Sequence, residues 1–216
     1  MNYSVQVERD HYFRDSYFTH DRWASYWYQI FRIKQLRIHS VLEIGVGNGI
    51  VADTLKKFGM EVTSLDIDPA LKPDIIGSVI AMPVAGGSFD LVLAAEILEH
   101  IRWDDLPTAL SEIHRVTKGY ALITLPHSGY TFSMMWKFPL LSWKFWIWKL
   151  PHFWKTHTFN GEHYWELGKK GFSVSMVKTE CIKAGFAIME ARRHADDPAH
   201  YHFLLKKTHE SKQWAA

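Results

Sequence analysis

The sequence predicts a doubly wound α/β fold, with seven strands in a mostly parallel sheet, an antiparallel last strand and helices on both faces. Three observations predict it. Short apolar runs alternate with helical patterns from residue 41 onward, the spacing of β-α-β units. Glycines follow the first run in "VLEIGVGNGI" (41–50), where a strand turns into a helix. The length of 216 residues with 47% hydrophobic content suits one substantial domain over 1–216 rather than two.

The elements follow in order. In "HDRWASYWYQIFRIKQLRI" (20–38), Trp23, Tyr26, Trp27, Ile30, Ile33 and Leu36 recur near a 3.6-residue period, which predicts an amphipathic helix. It belongs to an N-terminal cap over 1–40 that covers the sheet or the mouth of the site. Val41 to Val46 is the first strand, and "GIVADTLKKFG" is a helix ended by Gly59. "MEVTSLDID" is the second strand, with Pro69 opening a turn and Asp68 as its cap; "DIIGSV" is a brief third strand. "SFDLVLAAEILEHI" reads as a strand running into a helix, "DDLPTALSEIHRVT" as a helix and "GYALITLP" as the fifth strand. A helix over Phe172 to Ala184 is closed by Gly185, and "FAIMEARRH" and "AHYHFLLKK" form a final antiparallel pair. The tail "THESKQWAA" is expected to fray.

Composition narrows the function. A net charge of +2 and a pI near 8.5 fall short of the basic bias of a dedicated nucleic-acid binder. The lone Cys181 excludes an intramolecular disulfide, fits a reducing compartment and reads as a core residue. The opening "MNYSVQVERD" lacks the basic start and apolar run of a secretory signal. Together these predict a cytoplasmic protein.

In a doubly wound sheet, ligands bind beyond the carboxyl ends of the strands. Every motif of interest falls on that rim: the glycine stretch, Asp66, Ser78 and Glu96 follow successive strands. Gly45, Gly47 and Gly49 permit a tight turn and let a ligand approach backbone amides, and the helix start that follows favours electronegative groups. A dinucleotide fingerprint requires G-x-G-x-x-G, whereas Ile50 occupies the sixth position here. That disfavours a nicotinamide oxidoreductase, and no Walker-type G-K-[ST] follows.

The sequence resembles the class I S-adenosylmethionine-dependent methyltransferases with their Rossmann-like sheet, in particular the small type 11 group. "VLEIGVGNG" looks like the family's first motif, "SLDIDPAL" the second, and "MPVAGGSFDLVLAAEILEHI" the adenine-side loop through the fourth strand. A weaker match lies in "LGKKGFSVSMVKTECIKAGF". The resemblance implies S-adenosylmethionine as cofactor. It implies Glu43 at the methionine ammonium, Gly45, Gly47 and Gly49 along the amino-acid and ribose portions, and Asp66 on the ribose hydroxyls. Ile67 would pack on adenine, and Ser78 and the Val79 amide would address the ring. Relatives often carry an acid where Ser78 stands.

Methyl transfer needs an aligned nucleophile and, where it bears a proton, a base. His127, just after the fifth strand, is a candidate base because imidazole titrates near neutral pH, and His100 is a second; a loop histidine bonded to backbone is the alternative. Glu96, Glu99 and His100 share i, i+3, i+4 spacing. The E-x-x-E-H pattern resembles metal-assisted methyltransferases, with His163 as a further donor, but also relatives without a metal whose glutamates line the cofactor pocket. The second reading is adopted, with Glu96 a cofactor-pocket residue and no metal.

Ten of the 32 aromatic residues fall between Tyr130 and Trp154. This belongs to an insert, 127–171, after the fifth strand. Residues 130–155 hold four lysines and no acid. Trp143, Trp146, Ile147 and Leu150 follow helical spacing between Pro139 and Pro151, which predicts a helix too short to cross a bilayer. Its tryptophans and lysines suit a membrane interface, and a lid over a hydrophobic substrate pocket or a dimer contact is the alternative; stacking on single-stranded nucleic acid ranks below both. The expectation is a methyltransferase acting at oxygen on a small hydrophobic or lipid-linked acceptor, cytoplasmic or peripheral to a membrane. The competing reading is a non-catalytic binding module of the same fold.

Overall fold

The structure is a computed structural model that describes residues 3–208; the tail expected to fray lies, from His209 on, outside the described residues. Seven strands form one sheet: β1 (Ser40–Ile44), β2 (Glu61–Asp66), β3 (Ile75–Ile76), β4 (Phe89–Ala95), β5 (Thr117–Pro126), β8 (Phe186–His194) and β9 (Asp197–Lys207). β6 (Gly129–Trp136) and β7 (Lys144–Pro151) make a separate antiparallel hairpin. The sheet order is β3-β2-β1-β4-β5-β9-β8. β1 through β5 pair in parallel, and β9 alone runs antiparallel to both its neighbours, as expected. The strand order reverses between β1 and β4, which opens a crevice at the carboxyl ends of those two strands.

Both faces of the central strands are covered, so they read as continuous apolar runs. Leu42, Val92 and Ile123 point to the side packed by α3 (Leu106–Val116) and α4 (Val174–Lys183). Val41, Leu91, Leu93 and Leu122 point to the side of α1 (His20–Gln35) and α2 (Ile50–Lys57). On α3 the fully buried Leu106, Leu110 and Ile113 recur on one face, each stabilising the fold by roughly 1.5–3 kcal/mol. Cys181 is buried in α4.

Local signals start these helices where the sequence places them. The Thr19 hydroxyl accepts from Arg22 N at 3.4 Å to cap α1, and Ser173 Oγ accepts from Met176 N at 3.2 Å to cap α4. Asp68 accepts from Ala70 N at 2.8 Å and caps the turn at Pro69.

Three elements differ from expectation. "EILEH" is no α-helix: Glu96 takes a left-handed φ of 55°, and Leu98–His100 forms a single 3-10 turn. The i, i+4 argument therefore does not apply there. On α1 the buried face carries Ser25, Tyr28, Gln29 and Ile33, while Trp23 and Trp27 are exposed. The predicted helix in the aromatic insert is strand β7, paired with β6 from Gly129↔Pro151 to Trp136↔Lys144. Where nearly every residue is apolar, neither the two-residue nor the 3.6-residue period is distinguishable, and cross-strand pairing decides.

Candidate functional site

A cavity of about 360 Å³ opens at the crevice between β1 and β4. Its floor is the first glycine turn. Gly45 sits at φ 84°, and a Cβ there would meet Ile97 Cδ1 at 2.1 Å, so the backbone passes where only glycine fits. Gly47 faces the cavity with the Tyr12 ring across from it, 3.8 Å from where a Cβ would be. Gly49 does not line the cavity; its φ of 75° forms the left-handed entry to α2, and its role is the turn itself.

Glu43, Asp66, Ile67, Ser78, Val79 and Glu96 line the same cavity, so the expected cofactor residues, Gly49 apart, converge. Glu43 is buried on β1, and its Oε2 has no hydrogen-bond partner among the described residues. Burial pushes its carboxyl up to about 8, with Lys56 offsetting only part of the effect. A buried carboxyl oxygen without a partner is costly unless something from outside completes it. Asp66 closes β2; its Oδ2 accepts from Val46 N at 2.8 Å and its Oδ1 from Asp68 N at 2.9 Å. It thus braces the glycine turn while retaining lone pairs for a ligand. Burial raises its pKa against those two bonds. Ser78 bridges to Ala81 and stands beside Val79 at the far end of the cavity.

At the other end the histidines separate. His100 lines the cavity; its Nδ1 lies 2.9 Å from Gln6 Oε1 and 3.0 Å from the Glu162 carbonyl. Burial, reinforced by His163, lowers its pKa to about 4. His127 is not among the lining residues. Its amide donates to Ala199 O at 2.7 Å, its carbonyl accepts from Lys149 Nζ, and burial with Lys149 and Arg193 lowers its pKa to about 3. Its backbone is bonded on both sides, the arrangement that the alternative reading describes. Glu96 is tied to β5: its amide donates to Thr124 O and its Oε1 accepts from Thr124 Oγ1 at 3.1 Å.

Glu99, His100 and His163 each offer a donor atom within 4.8 Å of the others, and these three, rather than Glu96, are the residues that could hold a divalent cation. Both oxygens of the buried Glu99 lack a hydrogen bond, and burial together with Glu96 raises its pKa well above the usual range.

The aromatic insert divides in two. None of its residues between Gly129 and Gly161 borders the cavity, whereas Glu162 and His163 do. Trp165 returns to the core and donates from Nε1 to Ile101 O at 3.1 Å. The cover comes from the N-terminal cap, through Tyr3, Tyr12, Tyr17, Arg22 and Tyr26.

Sequence reasoning missed His200, which lines the cavity from β9. The only available signal was the Asp197, His200, His202 grouping at the start of a strand, and it gains meaning once β9 is known to run antiparallel beside β5.

This geometry can be set against known proteins. Residues 42–123 match the family model described as "Methyltransferase domain". Residues 42–123 are a methyltransferase domain. The methyltransferase fold extends beyond that segment. The chain is similar to magnesium protoporphyrin IX methyltransferase from Synechocystis PCC 6803, solved with bound S-adenosylhomocysteine, at 10% identity, covering 87% of this chain and 84% of that one with a TM-score of 0.60. It is also similar to 1,6-didemethyltoxoflavin-N1-methyltransferase from Burkholderia thailandensis, at 16% identity over 97% and 93% of the two chains with a TM-score of 0.57. A curated relative, the ubiquinone biosynthesis O-methyltransferase of Methylobacterium sp. (strain 4-46), is 33% identical over 79 residues, 29% of this chain. That match spans 30% of the relative's length.

The residues fit a sulfonium nucleoside. The methyltransferase domain offers a carboxyl without a partner for an ammonium group, a second carboxyl hydrogen-bonded to the glycine turn with lone pairs left for a sugar, and apolar Ile67 and Val79 for a purine.

Proposed function

We propose that the chain is an S-adenosylmethionine-dependent methyltransferase that acts on a small hydrophobic or lipid-linked acceptor, at oxygen, beside a membrane surface. The observation that carries the reading is the buried, unpartnered Glu43 Oε2 beside a glycine turn whose other flank is Asp66. Glu43 holds the methionine ammonium, Asp66 the ribose hydroxyls, and Ile67, Ser78 and Val79 the adenine. The bound cofactor supplies a methyl group already activated by positive sulfur. The chain's own task is to position, to exclude water and to take a proton. Tyr12, Tyr17 and Tyr26 cover the cavity and perform the second of these.

Support for oxygen as acceptor atom comes from the quinone-pathway relative, and support for a membrane site from the hairpin. Phe145 and Trp146 are 50% and 47% exposed. Neighbours in a strand face opposite sides, so neither face of the outer part of the hairpin is covered. Exposed aromatics interleaved with lysines and no acid match an anionic headgroup layer. Among the described residues no helix is long and apolar enough to cross a membrane.

Titration calorimetry with S-adenosylmethionine and S-adenosylhomocysteine, followed by transfer of a tritiated methyl group to small-molecule and lipid extracts, tests the function. Binding with turnover supports it. Binding without turnover points to the non-catalytic module, and no binding removes the reading altogether.

A further inference from the structure

We propose that His200 is the general base of the transfer reaction and that Asp197 is the residue that positions it. The inference rests on the methyltransferase reading above and assigns the acceptor end of its cavity.

Topology sets the location. β9 runs antiparallel, so its first residues reach the rim where the parallel strands end, and Pro126↔His200 pairing places the imidazole beside the end of β5. Glu43 and Asp66 stand on β1 and β2. With β4 between the two groups, His200 lies at the β5 end of the cavity, beside Glu96 and away from Glu43 and Asp66.

Hydrogen bonding sets the tautomer. Asp197 is fully buried, and its two oxygens meet His200 Nδ1 at 2.5 Å and His202 Nε2 at 2.7 Å. Burial alone would raise its pKa, but the bonds from His200 and His202 hold the carboxyl well below the usual range, so it stays ionised. An ionised carboxylate only accepts. His200 therefore donates from Nδ1, and its lone pair sits on Nε2. That atom lies 3.6 Å from Glu96 Oε2, beyond hydrogen-bond reach, in a ring that lines the cavity. This is the arrangement in which a buried carboxylate orients a histidine base.

Charge sets the strength. Burial lowers the pKa of His200, but Glu96 and Asp197 outweigh burial and the opposing Arg22, so the net shift is upward. His100 and His127 move the other way, to about 4 and about 3. Of the three histidines only His200 is both basic and turned toward the cavity. Facing it are Asp197 on its own strand, Glu96 from the end of β4 and Arg22 from α1, with His202 sharing Asp197.

The step balances. The acceptor O–H bond breaks and its proton passes to Nε2. The oxygen lone pair bonds the methyl carbon as that carbon's bond to sulfur breaks, leaving the electron pair on sulfur. The products are a methyl ether, neutral S-adenosylhomocysteine and an imidazolium flanked by Asp197 and Glu96, so the positive charge moves from sulfur to histidine.

The test uses the full chain with His200→Gln and Asp197→Asn, with 3,4-dihydroxybenzoate and 4-alkylcatechols as acceptor probes. Affinity for S-adenosylhomocysteine is expected within about twofold of wild type in both variants. In His200→Gln kcat falls about 100-fold or more and loses its plateau at high pH. In Asp197→Asn kcat falls about tenfold and the inflection of its pH profile moves to lower pH. Unchanged kcat and profile in His200→Gln with cofactor binding intact overturns the proposal. A second measurement needs no acceptor: nitrogen-15 resonances of the His200 ring, assigned by their loss in His200→Gln, should show an Nδ1–H tautomer whose Nε2 titrates. An Nε2–H tautomer, or no titration between about pH 5 and 9, overturns the proposal whether or not a probe turns over. Absence of cofactor binding by the wild type is a different failure, that of the methyltransferase reading.

Discussion

With Glu43 at the methionine ammonium, as proposed, cofactor affinity should depend on pH, and the size of the effect follows from its burial. Its carboxyl, pushed up to about 8, is mostly protonated in the free protein at neutral pH. An ammonium group needs the ionised form, so binding must expel that proton. The ionised fraction is one half at pH 8 and a few per cent at pH 6.5, so affinity should weaken roughly 15-fold across that interval, about 1.4 kcal/mol for each full pH unit below the pKa. The assay is titration calorimetry with S-adenosylhomocysteine in buffers of different ionisation enthalpy, which counts the released proton directly. Glu43→Gln should abolish both the slope and the proton release while weakening binding at pH 8.

The same burial has an opposite consequence for the empty fold. An acid whose folded pKa lies above its unfolded value of 4.5 contributes stability that is complete below about pH 4.5 and is lost as pH rises to about 8. The upper value of that loss is ~5 kcal/mol. Glu43→Gln should therefore raise the melting temperature of the cofactor-free protein at pH 8, the change that removes function adding stability. An affinity that stays flat between pH 6.5 and 8, with no proton released, would refute the reasoning, because it would mean that Glu43 is either already ionised or untouched by the ligand.

Other perturbations separate the roles of neighbouring parts. Asp66→Ala should weaken cofactor binding by about 1.5–3 kcal/mol, the value of a hydrogen bond to a charged group, and should also lower the melting temperature because Val46 N and Asp68 N lose their acceptor; unchanged affinity would remove its ribose role. Gly45→Ala places a Cβ 2.1 Å from Ile97 Cδ1 at a φ of 84°. The backbone cost is roughly 1–2 kcal/mol, and Ile97, itself a cavity residue, must move, so calorimetry should show weaker binding as well as a lower melting temperature. Replacing Phe132–Trp148 by an Asn-Gly turn joins Thr131 to Lys149, which are paired in register. Lys149 thereby keeps its bond to Pro198 O, and the variant should bind cofactor as before but no longer sediment with vesicles containing phosphatidylserine. Equal sedimentation of both forms would reassign the hairpin to protein contact.

The glycine turn, the two carboxyls and the cap at Asp68 were legible because each depends on a few consecutive residues. Backbone conformation at Gly45 and capping at Asp68 are local physics. Glu96 and His100 were misjudged as partners because a helical spacing was assumed where the chain turns through a left-handed residue, and that residue is held by a hydrogen bond to Thr124 on the adjacent strand. The exposed hairpin was read as a helix because a chain apolar on both faces carries no period to read.

The sequence by itself determined the β-α-β order, the rim on which a ligand sits and the residues of β1 and β2 that face it, since alternation and turn chemistry act over short range. Only the tertiary structure decided that His200 reaches the cavity. His200 comes to the rim because β9 reverses direction against β5, and its tautomer is fixed by Asp197 in a fully buried position. Strand direction and burial are properties of the assembled sheet, set by pairing partners some eighty residues apart in the chain.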